Sequence, residues 1–181
     1  MRKVVTMGAT ILATLTLAAC GSKSADSSKD SSSDNNTHTV KTEKKTDRSF
    51  ENNVLKLNDM TVKITKTSVI PVGNKGNEYS KKPVFAIWFD VTNTSDKKLT
   101  PVDVVSVLQA TQEGKNTDRK LDVGYAPDQK MVDIQSDSIK KGKTSKGAIA
   151  WELIDTKTPV VLTATTTTDN SEVGHQTYNI K

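Results

Sequence analysis

The stretch PVFAIWFDVTN (residues 83–93) alternates Phe85, Ile87, Phe89 and Val91 with Val84, Ala86, Trp88 and Asp90. A period of two carried by β-branched and aromatic residues is the pattern of a half-buried strand. The run stops at Asn93-Thr94-Ser95-Asp96, whose short polar side chains bond their own backbone and favour a turn. If Phe85, Ile87 and Phe89 face a core, Trp88 faces outward beside Ala86 and Asp90.

Working outward, residues 54–57 and 60–70 read as two strands joined at Asn58-Asp59. On the C-terminal side, residues 102–112 read as a strand and Glu113-Gly114-Lys115 as a turn. Residues 116–130 read as loop, and further strands are expected over 131–135, 145–153, 160–168 and 176–180. No stretch carries a helical period. Some seven short strands separated by turn signals predict an all-β, immunoglobulin-like antiparallel β-sandwich. The chain has one cysteine, so this sandwich has no internal disulfide and must rest on packing. Phe85, Ile87, Phe89, Val91, Ile149, Trp151 and Leu153 are the expected core, with Trp151 a plain core tryptophan.

The N-terminus carries a different message. After Met1-Arg2-Lys3, residues 4–19 hold no charge, and Cys20 follows directly. A positive start, a short apolar run and small residues at its end form a signal peptide, and 16 uncharged residues fall short of the roughly 20 a spanning helix needs. Leu17-Ala18-Ala19-Cys20 resembles the bacterial lipobox. That resemblance implies a diacylglyceryl group on the Cys20 sulfur and cleavage between Ala19 and Cys20. Two acyl chains, at about 0.8 kcal/mol per buried methylene, suffice for stable membrane residence. Residues 20–49 then form a Ser/Asp/Lys-rich tether with almost nothing apolar to bury, expected to be disordered and to reach on the order of 30 Å. Residues 50–181 remain for the β-sandwich domain.

Charge excludes one class of partner. Residues 50–181 contain 18 Lys and Arg against 16 Asp and Glu, interspersed, where a nucleic-acid binder would show a basic stripe. No nucleic acid is expected. Gly142-Lys143-Thr144 ends like a phosphate-binding loop, but Asp137 stands where the first glycine belongs, so a turn is the better reading. No G-x-S-x-G elbow is present, and His175 is the only histidine beyond the tether, which holds His38. Asp118, Asp122, Asp128, Asp133 and Asp137 raise the question of calcium, yet they are spread over 20 positions without the spacing of a calcium loop. No metal ligand set and no cofactor are assigned. Two surface features remain as a candidate binding surface: the outward Trp88, and the lysines Lys140, Lys141, Lys143 and Lys146, able to meet anionic polymers or headgroups.

The segments KKPVFAIWFDVTNTSDKKLTPVDV, LQATQEGKN, KKGKTSKG and WELID resemble a domain-of-unknown-function family of lipoproteins from low-GC Gram-positive bacteria. Its marks are Lys-Pro opening an apolar strand that closes on Thr-Asn-x-Ser-Asp, a Gln-x-Gly turn, and an aromatic-x-Leu-x-Asp strand. Two positions depart from it, Lys141 before Gly142 and Thr111. The resemblance implies an immunoglobulin-like sandwich and supplies no catalytic residue. The expected function is therefore a lipid-anchored module on the extracellular face of the cell membrane, not an enzyme, binding an envelope protein, a wall polymer or a small ligand. An extracellular enzyme with an unrecognised active site and an accessory solute-binding lipoprotein are the alternatives.

Overall fold

The computed structural model describes residues 47–181, so the expected leader, Cys20 and the tether up to residue 46 lie outside the described residues. Among the described residues nine strands form two antiparallel sheets. In the first, β1 (Ser49–Glu51), β2 (Val54–Lys56), β3 (Met60–Ile70), β4 (Val84–Asn93) and β7 (Thr144–Glu152) lie in that order. In the second the order is β6 (Asp118–Lys120), β5 (Leu108–Glu113), β8 (Val160–Thr165) and β9 (Glu172–Tyr178). From β4 the chain crosses to β5, returns to β7 beside β4, and crosses again to β8 beside β5. That interleaving is the Greek-key connectivity of an immunoglobulin-like sandwich.

The two additional strands, β1 and β6, are three residues each, too short for any period to register. Ser49, assigned to the tether from composition, opens β1, because the Asn52-Asn53 turn with φ of 50° and 63° folds β1 back on β2. A left-handed pair of asparagines is the backbone that a two-residue hairpin requires.

Two segments expected as strands are helical. Residues 101–106 are a 3-10 helix started by Thr100-Pro101: Thr100 N and Oγ1 both donate to Asp103 Oδ2, at 2.8 and 2.9 Å. Only from Leu108 does the predicted strand begin. Residues 131–135 lie mostly in α1 (Gln129–Ile134), where Asp128 Oδ1 caps the first turn by accepting from Lys130 N at 3.0 Å. Three apolar side chains in five residues do not distinguish strand from helix, and the cap decided it.

Between the sheets lies one core that contains Phe85, Ile87, Phe89, Val91, Ile149, Trp151 and Leu153 as expected, joined by Leu55, Val62 and Leu162 among others. Thr65 is the extra residue of a β-bulge opposite β4, so β3 keeps Ile64 turned to the core before it and Val69 packed on the core after it. At Gly147, opposite Phe89, the Phe89 ring lies flat over the backbone where any side chain would collide with it.

Polar side chains brace this core from within. Asn93, closing β4, is buried. Its Nδ2 donates to Lys97 O (2.9 Å) and Ile139 O (2.8 Å), and its Oδ1 accepts from Ser95 N. Gln112, buried at the end of β5, ties down the β7–β8 connection by donating to Asp155 O and Thr158 O and accepting from Ile154 N at 2.8 Å. The Asn of Thr-Asn-x-Ser-Asp and the Gln of Gln-x-Gly therefore hold loops to the sandwich.

Candidate functional site

The outer face of the five-stranded sheet has two halves. At one end Val84, Ala86, Ala150 and Ile70 are buried beneath the β3–β4 and β6–α1 connections, with Trp88 at the boundary. Asn77 pins the first of these by donating to Ile70 O and Lys82 O. Beyond Trp88 the face is polar, and Asp90 pairs with Lys146 at 2.9 Å while Thr92 meets Thr144.

Trp88 faces outward, as the alternation requires, and two neighbours cover it. Its Nε1 donates to Asp128 Oδ2 at 3.3 Å, and Lys66 Nζ stands 4.5 Å from the ring centroid. Lys66 is exposed, and an exposed ammonium over an indole contributes about 0.5–1 kcal/mol. The ring is half-buried between the α1 cap and β3, which makes it a brace for the covering loop.

The four lysines gather around the turn into β7. Lys143 N donates to Lys140 O, and Gly142 takes a φ of 71° to make that turn, as the Gly-Lys-Thr reading anticipated. Lys141 pairs with Asp96 at 2.8 Å and Lys146 with Asp90, both at the surface, where an ion pair contributes about 0–1 kcal/mol. Lys146 and Trp88 share the outer face with Asp90 and Ala148 between them, whereas Lys140, Lys141 and Lys143 sit beyond the strand. The expected surface is thus divided into a covered tryptophan and a partly neutralised lysine turn.

The acidic positions are divided as well. Asp118 is in β6, Asp128 caps α1, Asp133 lies within it, and Asp122 and Asp137 lie on either side. Among the described residues no three His, Cys, Asp or Glu side chains come together to hold a metal. Carboxylates with shifted titration are held by local donors. The Ser80 hydroxyl, then Lys82, draws Glu152 below the usual range; Thr158 N–H, then Lys157 N–H, does the same for Asp155. Asp169 is drawn down to about 2 by the Thr166 hydroxyl and Ser171. Burial pushes the Tyr178 phenol up to about 12.

A surface that the sequence did not reveal lies along β7. Tyr79 and Tyr125 are 78% and 65% exposed and meet edge to face with centroids 5.8 Å apart. Two residues from Tyr125, Val123 is 54% exposed, and it faces Val102, 43% exposed, across a groove of about 230 Å³. Pro101, Ala126, Gln135 and Ala148 complete most of its wall. Exposed apolar side chains scattered singly need no explanation, but Val102 and Val123 on one groove, with the tyrosine pair two residues along the chain from Val123, do. All four lie on connections rather than strands, where period-two reasoning has nothing to say. A second hollow of about 510 Å³ lies between β1 and β9, but its apolar residues are few: Phe50 is buried, and His175 is paired with Glu172 at 2.9 Å.

Among the described residues no helix is long and apolar enough to cross a membrane. A family model described as "Domain of unknown function (DUF5067)" matches residues 23–166. No curated protein matches the chain. Among solved structures, a candidate lipoprotein from Staphylococcus aureus is 25% identical with a TM-score of 0.63, over 75% of this chain and 93% of that one. A β-sandwich protein from Clostridium difficile 630, described as uncharacterised, is 15% identical with a TM-score of 0.43, over 71% of this chain and 89% of that one.

Proposed function

The chain belongs to the DUF5067 family, and from that premise we propose that it is a lipoprotein of the cell envelope that works as a binding module on the extracellular face of the membrane. Cys20, directly after an uncharged run and Leu17-Ala18-Ala19, is the anchor, carrying diacylglyceryl on its sulfur. The resemblance to a candidate lipoprotein that matches over most of both chains supports that placement. The sandwich is the working part, held by that anchor at high effective concentration near the membrane.

The observation that carries the binding reading is an apolar groove lined by the exposed Val102 and Val123, with the exposed Tyr79–Tyr125 pair two residues along the chain from Val123. Aromatic side chains at a surface bring large contact area at low entropic cost, which is why they recur in binding hot spots. The placement is tested by intact-mass measurement of chain purified from its native membrane: residue 20 as the N-terminus with a diacylglyceryl adduct is the expected result, and a free thiol there refutes it. Cys20→Ala should release the domain into the medium with its circular dichroism unchanged.

A further inference from the structure

The groove deepens that reading: its use rests on the domain being a binding module and is independent of the lipid anchor. β7 is an edge strand: one side pairs with β4 along its whole length. On the other side the chain supplies a short stand-in for a neighbouring strand, and α1 and the 3-10 helix also pack against β7. Gly124 N donates to Ala150 O at 2.9 Å, and Glu152 N donates to Asp122 O at 2.9 Å. Backbone groups of alternate residues point to the same side of a strand, so Ala148 and Lys146 present theirs on that outer edge too. Among the described residues' hydrogen bonds none reaches Ala148 there. The apolar groove begins at that point, with Ala148 in its floor and Val102 and Val123 on its two sides.

Volume and charge narrow the occupant. About 230 Å³ is below the roughly 300 Å³ at which pockets for drug-sized molecules start, and it suits one or two side chains of an extended chain. The groove's own lining is uncharged, and the segments around it bring carboxylates: Asp103 from the 3-10 helix, Asp122 and Asp128 from the covering loop, and Asp133 and Asp137 from α1 and its exit, while Glu152 of β7 is paired with Lys82 at 3.2 Å. The same segments bring two lysines, Lys130 and Lys146, the second already paired with Asp90, in a domain whose net charge is otherwise slightly positive. Complementary charge selects partners and steers their approach.

We propose that the outer edge of β7 binds an extended segment of another protein, with an apolar residue seated between Val102 and Val123 and Lys or Arg on its flanks. The segment continues the five-stranded sheet by pairing with the Ala148 backbone. Main-chain pairing supplies affinity and the alternate side-chain pocket supplies selectivity, as in other strand-addition complexes.

The test uses the native chain in detergent, 15N-labelled, titrated with the peptide acetyl-KKVTVTVKK-amide and with its counterpart bearing Glu for each Lys. The basic peptide should shift the amides of Ala148, Gly124 and Val102, bind at least fivefold more weakly when salt is raised, and fail to bind when its central valine amide is N-methylated. Val123→Lys and, independently, Val102→Lys should each weaken it at least fivefold with Tm unchanged; both sites are exposed, so either variant suffices. Equal binding of the acidic peptide, shifts centred on the Lys140–Lys146 turn, or no shift at all overturns the proposal. So does a concentration-dependent dimer that protects these same amides, because the occupant would then be a second copy of this chain. Failure here leaves the mass of Cys20, and with it the membrane placement, to be decided on its own.

Discussion

The two sheets of this sandwich treat their outer faces differently. β5 and β8 of the four-stranded sheet alternate buried and half-exposed residues without a break, so that Gln109, Thr111 and Thr163 face out while Leu108, Ala110 and Leu162 face in. β4 of the five-stranded sheet is buried on both faces from Val84 to Ile87, and alternates only afterwards. An antiparallel sheet with one solvated face alternates; one covered on both faces reads as a continuous apolar run. The opening of PVFAIWFDVTN is such a run, and what covers it are the two long connections that also carry the exposed tyrosines and the groove. The sheet with the broken alternation is the one that carries the candidate site.

Four measurements sharpen or break this contrast. Trp151 lies in the layer both sheets share, and Trp151→Ala should remove about 3–5 kcal/mol in urea unfolding, a large share of the about 5–15 kcal/mol that holds an ordinary domain. Ala86→Asp places an unpaired charge under the covering loops and should remove about 3 kcal/mol. Its counterpart Thr163→Asp, on the open face of the other sheet, should change stability by under about 0.5 kcal/mol. Similar losses from both would show that the two outer faces do not differ. Gln112→Ala orphans backbone groups at the β7–β8 connection and should remove about 2 kcal/mol, with faster hydrogen exchange at Ile154.

The smallest effect is a pH dependence. Asp169, in the β8–β9 turn, titrates near 2 against an ordinary 3.8, because the Thr166 hydroxyl and then Ser171 bond its charged form. A carboxylate depressed in the folded state stabilises the fold above its unfolded pKa and loses that contribution as pH falls through the folded one. Asp169→Asn should therefore lower Tm slightly at pH 7, with the difference shrinking below about pH 4 and gone near pH 2. A difference that persisted in acid would mean that the side chain acts through its shape.

The strands were legible where their side chains alternate or form long apolar runs: β3 matches its expected bounds at both ends, β4 differs by one residue, and the inward row of seven core residues is as read. The helical segments carry strand-like patterns because β-branched and apolar residues dominate PVDVV and MVDI, and only their caps mark them as helical. Thr100-Pro101-x-Asp103 is a helix-start signal in plain sight, and Asp128 is another. Of the candidate surface, Trp88 was placed on the correct face, but its cover was invisible, since Asp128 lies 40 residues away in sequence.

By itself the sequence determined the sandwich class, the identity of the core, the orientation of Trp88 and the singular position of Cys20, because each depends on neighbours one to four residues apart. Tertiary structure alone decided that Asn93 and Gln112 are braces, that Trp88 is covered, and that Val102 and Val123 face each other across the β7 edge. Those relations join residues brought together by chain crossings between the sheets, and no local period encodes which connection will lie over which strand.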